Sequence, residues 1–323
     1  MGEPWTTTYR LARQHGVTEW ELRKAFDHPY RGMVRPGGID PGDPDVRIGD
    51  ALSIMTTDDV ITGWAAARGH GVAHADGRDH RFRTQPVSII STGGGQHRPQ
   101  PGLAESRRTI HEHEICRIGE VRTATLVRAA YDMALDAPDL ASAVAAIDMC
   151  VSTCVRQGRT TITNIAALMA QHVKTRGIVQ ARRALVLAST RSASPWESRT
   201  RCVAEVRGGL RGLQVNVPIF DRAGRLAGVA DLLDHAAGFV IESDGAGHRT
   251  EARHAKDNIR EEGLEVLGLF VVRVSAMDHR DERELASRLQ RGRLHAAMRR
   301  VKPLWTTDQP AWWSGWEPGR RWD

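Results

Sequence analysis

The chain has 323 residues, and 45 Lys and Arg against 39 Asp and Glu give it a formal charge of +6 and a pI of about 9.5. That balance favours a polyanionic partner, but only Lys24, Lys174, Lys256 and Lys302 are lysines, so placement rather than Arg abundance must carry the argument. No apolar run approaches the length of a membrane span and Met1-Gly2-Glu3-Pro4 lacks a signal-peptide pattern, so a cytoplasmic chain of two or three domains is expected.

Two short helical patterns open the chain, Tyr9–His15 and Thr18–Phe26, split by Gly16. Thr18 with Glu21 three residues later spells a capping box for the second. This is helix-turn-helix grammar, and Tyr30–Gly38 reads as a wing hairpin, which makes Arg23, Lys24, Arg31 and Arg35 candidate DNA contacts. The rival reading is an ordinary pair of helices.

Asp50–Ile54 and Asp58–Ala67 read as helical, Gly69–Arg83 as a His-, Gly- and Asp-rich connection, and Val87–Ser91 as a strand. The spacing of His70, His74, His80, Asp76 and Asp79 fits no metal geometry on a helix or strand pair. Arg107–Ile118 alternates like a solvated strand, with His111 and His113 at the surface. Four helical patterns follow: Thr123–Leu135, Asp139–Val155, Thr161–His172 and Ile178–Ala188. Cys150 and Cys154 lie within the second as buried small hydrophobes.

Ser194-Pro195 opens a further helix to Arg207, with Glu197 in its first turn. Leu213–Phe220, Arg225–Leu233 and Gly238–Ile241 read as strands, Glu251–Leu267 as a charged helix and Leu269–Ser275 as a last strand. Pairing the second and third strands antiparallel across Asp234–Ala237 brings Asp231, Glu242 and Asp244 to one spot. Carboxylates so placed repel unless a cation neutralises them, and hard oxygen ligands suit Mg²⁺ or Mn²⁺. Trp305, Trp312, Trp313, Trp316 and Trp322 crowd a Pro- and Gly-rich tail, whose rings are expected to dock on the protein body.

The pattern Glu197, Asp231, Glu242-Ser243-Asp244-Gly245-Ala246-Gly247-His248, Asp257, Arg260, Leu264, Gly268, Val272-Arg273-Val274 spans about residues 192–278. It resembles the PD-(D/E)XK nucleases, in the branch related to very-short-patch repair endonucleases. The resemblance implies a metal site at Asp231, Glu242 and Asp244, with Glu197 extending it and His248 as general acid/base. It also implies phosphate contacts from Lys256, Arg260 and Arg273. Where the family name promises a Lys two residues after the second acid, this chain has Asp244, a substitution the branch itself uses; Lys256 is a cation that could swing in.

The N-terminal two-thirds is similar to the AbiEi-like proteins in its element order, Gly32-Met33-Val34, Trp64-Ala65-Ala66 and the strand-to-helix step Gly119–Ala134. The class implied is α/β, α+β overall. It comprises a winged helix over 1–42, a mixed α/β region over 43–121, a helical segment over 122–190, a nuclease-like α-β-β-β-α-β domain over 191–297 and a Trp-rich tail over 298–323. The function implied is a Mg²⁺- or Mn²⁺-dependent DNA endonuclease of repair or of defence against phage and mobile elements. The rival is a DNA-binding regulator or antitoxin whose nuclease-like domain is inactive. A homodimer and a toxin or other protein partner stay open.

Overall fold

Thr8 and Thr18 cap the two opening helices, α1 (Tyr9–Gln14) and α2 (Glu19–Lys24), and the Thr18–Glu21 capping box forms as the sequence spells it. Around them β1 (Thr7–Thr8), β2 (Phe26–Asp27) and β3 (Met33–Pro36) pair antiparallel in the order β1-β3-β2. Ala12, Leu22 and Val34 form the small core, with Tyr9, Val17 and Phe26 packed against it. This computed structural model describes residues 5–93, 98–244, 262–299 and 301–315.

The helix expected at Asp50–Ile54 instead begins six residues earlier, as α3 (Pro44–Leu52), because Asp43 caps it and Pro44 is its first residue. The next segment departs from expectation. Asp58–Ala67 is not one helix: β4 (Asp59–Thr62) comes first and α4 (Gly63–Gly69) follows. Val60 and Ile61 are fully buried in the middle of a sheet, where β-branched side chains pack well, and Gly63 turns the chain at φ +63°. That sheet adds β5 (Val87–Ser91), β6 (Leu103–Ser106), β7 (Ile115–Ile118) and β8 (Val121–Ala124), in the order β6-β5-β4-β8-β7. The expected strand Arg107–Ile118 is likewise shorter, because Glu112–Glu114 makes a 3₁₀ turn that draws Glu114 into the interior.

After α5 (Leu126–Asp136) the chain alternates between two units, Met1–Leu135 with Gln157–Ile178, and Asp136–Arg156 with Val179–Asp323. Helix α6 (Leu140–Val151), capped by Asp139, belongs to the second; α7 (Ile162–Gln171), capped by Thr161, returns to the first. The expected helical segment 122–190 is therefore divided rather than a block of its own. The cause is side-chain chemistry: α6 is tied to Arg201 by the buried ion pair of Asp148, and the C-cap of α7, His172, bonds Glu114.

In the second unit α8 (Ile178–Val186) precedes α9 (Pro195–Cys202), which runs on into a π-helical turn, Val203–Arg207. The sheet comprises β9 (Gln214–Asp221), β10 (Leu226–Asp234), β11 (Phe239–Asp244) and β12 (Phe270–Ser275), ordered β12-β11-β10-β9. β9, β10 and β11 run antiparallel in sequence, and β12 joins β11 in parallel. Of the charged helix expected before β12, the described part is the turn at 262–266.

Asp281 caps α10 (Glu282–Met298), whose Leu285 and Leu289 join Leu232, Phe239, Ile241 and Val274 in one core. A Cβ added to Gly292 would meet the Phe239 ring at 3.1 Å and Val272 at 3.2 Å, so its lack of side chain sets the close approach of α10 to the sheet. β13 (Trp305–Thr306) closes the β9 edge, and Trp313 meets Phe220 edge-to-face, so the described part of the tail docks on the protein. Among the described residues no helix is long and apolar enough to cross a membrane.

Candidate functional site at the carboxylate end of the second sheet

Leu232 pairs with Ile241, Leu233 with Val240 and Asp234 with Phe239. One step further in the same register, Asp231 stands opposite Glu242, and directly opposed side chains of an antiparallel pair share a face about 4.5–5.5 Å apart at Cβ. The Ser243 amide donates to Asp231 Oδ2 at 2.6 Å, which locks this end of the hairpin. Asp244 follows Glu242 on the same face by strand alternation, beside Ser275 of β12. Glu242 is buried, while Asp231 and Asp244 are half-buried at the strand ends.

Glu197 reaches this region from α9. It is the third residue of the helix, its amide donates to the Ser194 cap, and its Oε2 accepts from the Ala193 amide at 2.8 Å and from Asn216 Nδ2 at 2.6 Å. Burial and the neighbouring Asp231 charge push the Glu197 carboxyl up to about 8. The Glu197 carboxyl thus keeps its proton at neutral pH.

The support is a buried polar frame. Arg201 pairs with Asp148 of α6 at 2.9 Å and donates to the Leu187 carbonyl; Arg199 donates to Ser142 Oγ at 2.6 Å and pairs with Asp139 at 3.3 Å. These contacts clamp α9, and with it Glu197, against α6. Asn216 is the residue sequence reasoning missed. It adopts φ +49°, its side chain bridges Glu197 and the Arg191 carbonyl, and Arg191 donates back to its carbonyl. The signal was present: Asn in the middle of an apolar strand pattern is a residue type that tolerates the left-handed region.

The donor set is all carboxylate oxygen, which suits a hard divalent cation, and a cation there would offset the Asp231 charge that adds to burial in raising the Glu197 carboxyl. Three of these acids do not come within 4.8 Å of one another; among the described residues the trio of metal-type donors that does is His111, Glu114 and His172, in the other unit.

The remaining expected contacts fall out unevenly. His248, Lys256, Asp257 and Arg260 lie outside the described residues. Arg273 is half-buried and paired in register with Glu242. Arg23, Lys24 and Arg31 are exposed, Arg23 beside Glu19. Arg35 is not: it is 2% exposed, bonded to Asp50 and to Asp27 at 3.1 Å, so it is a buried structural cation rather than a DNA contact. Its place on β3 turns it inward, where Asp50 of α3 neutralises it.

No family model matches the chain, and comparison with characterised proteins and with solved structures finds no match either. The functional reading rests on the residues themselves.

Proposed function

We propose that the second unit is a metal-dependent endonuclease of the PD-(D/E)XK type, hydrolysing phosphodiester bonds in DNA. What supports this is the β10–β11 register, Leu232 against Ile241, which carried one residue further brings Asp231 across from Glu242, with the Ser243 amide bonded to Asp231 and Asp244 one pleat beyond. Packing gains nothing from opposed acids at a strand end. The order helix, three antiparallel strands, helical turn and parallel strand supports the same reading.

Asp231 and Glu242 would hold the cation and Asp244 would orient the attacking water. Bound Mg²⁺ or Mn²⁺ would polarise a phosphoryl oxygen and lower the pKa of a bound water. Glu197, protonated at neutral pH, accepts from Asn216 and the Ala193 amide at one oxygen, which holds the carboxyl in place within reach of the Asp231 charge. His248 is the candidate general acid/base from the sequence pattern, suited by an ordinary pKa of about 6.5. In the first unit, α1, α2 and the β1-β3-β2 sheet are read as a winged helix that contacts phosphates through Arg23, Lys24 and Arg31.

The test is cleavage of supercoiled and linear duplex, single-stranded and branched DNA with Mg²⁺, Mn²⁺ or EDTA. The proposal expects metal-dependent cleavage. Tight binding of one defined sequence with no cleavage of any substrate would instead favour a regulator, with Asp244 in place of the Lys marking a retired site.

A further inference from the structure

The first unit holds a second constellation that the nuclease reading does not use. His111, Glu114 and His172 each offer one donor atom, and all three atoms lie within 4.8 Å of one another. The residues come from separated places: His111 and Glu114 flank and end the 3₁₀ turn before β7, and His172 is the C-cap of α7. Glu114 and His172 are buried, His111 is exposed, and the His111 and His172 rings lie 5.3 Å apart.

The carboxylate is set up to give one oxygen away. Glu114 Oε2 is engaged by Arg128 Nη1 at 2.5 Å and by the His111 amide at 3.1 Å, while Oε1 faces His172 Nε2 at 2.5 Å. Arg128 is answered in turn by Asp132 at 2.9 Å, so its charge does not cancel that of Glu114 alone. Glu114 is a carboxylate with one oxygen pinned from behind, an arrangement that orients metal-ligating carboxylates.

We infer that His111, Glu114 and His172 form a binding site for a divalent transition metal of the Zn²⁺ type, with a fourth position open to solvent on the His111 side. Two imidazoles and a carboxylate are a Zn²⁺ donor set and a poor Mg²⁺ set. Tetrahedral Zn²⁺ with ligands at about 2.0–2.2 Å separates its donors by about 3.3–3.6 Å. The Glu114–His172 hydrogen bond therefore opens by about 1 Å and exchanges its proton for the metal, while exposed His111 swings inward. His113 is not a member: it stacks on His111 at 5.6 Å and meets Gln171. Binding would tie the segment before β7 to the end of α7.

Calorimetric titration of the full chain with Zn²⁺, paired with Co²⁺ absorption as a probe of tetrahedral coordination, tests this. The expected result is one equivalent of Zn²⁺ bound, a tetrahedral Co²⁺ spectrum, and a Tm that rises with Zn²⁺. His111→Ala, at an exposed position that leaves the interior intact, should weaken binding by at least about 10-fold, and His111→Ala/His172→Ala should abolish it. Asp231→Ala, in the other unit, should leave Zn²⁺ binding unchanged. Absence of binding by the wild type, a loss smaller than that in His111→Ala, or unchanged affinity in the double variant, would each overturn the site. Loss on Asp231→Ala would do the same by moving the bound metal elsewhere.

Discussion

Glu197 shows how burial writes pH dependence into a single residue. Its folded-state value, about 8, lies above the ordinary 4.5, so the folded protein keeps a proton that the unfolded chain releases. Stability from this group is intact below about 4.5 and declines as pH rises, until the carboxyl ionises in the folded state near 8. Glu197→Gln should flatten that decline, measured by urea denaturation across this pH range; parallel curves for variant and wild type would contradict the assignment. Arg35 is the converse case, a buried cation whose removal strands Asp50. Arg35→Ala should cost about 3–5 kcal/mol in chemical denaturation. Arg31→Ala, at an exposed position, should leave stability nearly unchanged and flatten the salt slope of DNA binding by about one. No sequence pattern separated these two arginines, because a four-residue strand with three buried positions does not alternate inside and outside.

Elements were legible where local chemistry agreed with the final packing. The Thr18–Glu21 box and the Ser194-Pro195 start with Glu197 lie where the residues spell them, whereas the Asp43-Pro44 start of α3 was passed over for a helix at Asp50–Ile54. The strands of the second sheet were readable to within a few residues because β-branched runs sit between turn residues. β4 was misread because Val60-Ile61, joined to the Ala-rich stretch Trp64–Ala67, makes one apolar run; only burial within the sheet decides that its first half is strand. β13 was invisible for the opposite reason, since two residues carry no period. Its worth is testable: Trp305 is 9% exposed, packs on His235 at 4.9 Å and covers the β9 edge. Trp305→Ala should cost about 3–5 kcal/mol by thermal or urea unfolding; a loss under about 1 kcal/mol would make the strand ornamental to the fold.

Across the whole molecule, the division into units could not be read from the chain because segments trade places: 157–178 serves the first unit and 136–156 the second. His172 and Asp148 fix those memberships through Glu114 and Arg201 respectively, contacts 58 and 53 residues long in sequence. A fragment cut after residue 135 should therefore fail to fold as the first unit does, whereas adding 157–178 through a short linker should restore cooperative unfolding by circular dichroism. The antiparallel hairpin that carries Asp231 and Glu242 was legible because its two apolar runs flank a short turn; the contribution of Asn216 was not, since it depends on a left-handed backbone turn. The central claim is that these opposed acids serve phosphodiester hydrolysis. The direct measurement is cleavage of supercoiled DNA with Mg²⁺ or Mn²⁺ by wild type, Asp231→Ala and Glu242→Ala, each checked for unchanged DNA affinity. The account predicts cleavage by wild type, none with EDTA and none by either variant. Cleavage that survives both substitutions, or its absence from wild type on every DNA form, would contradict it.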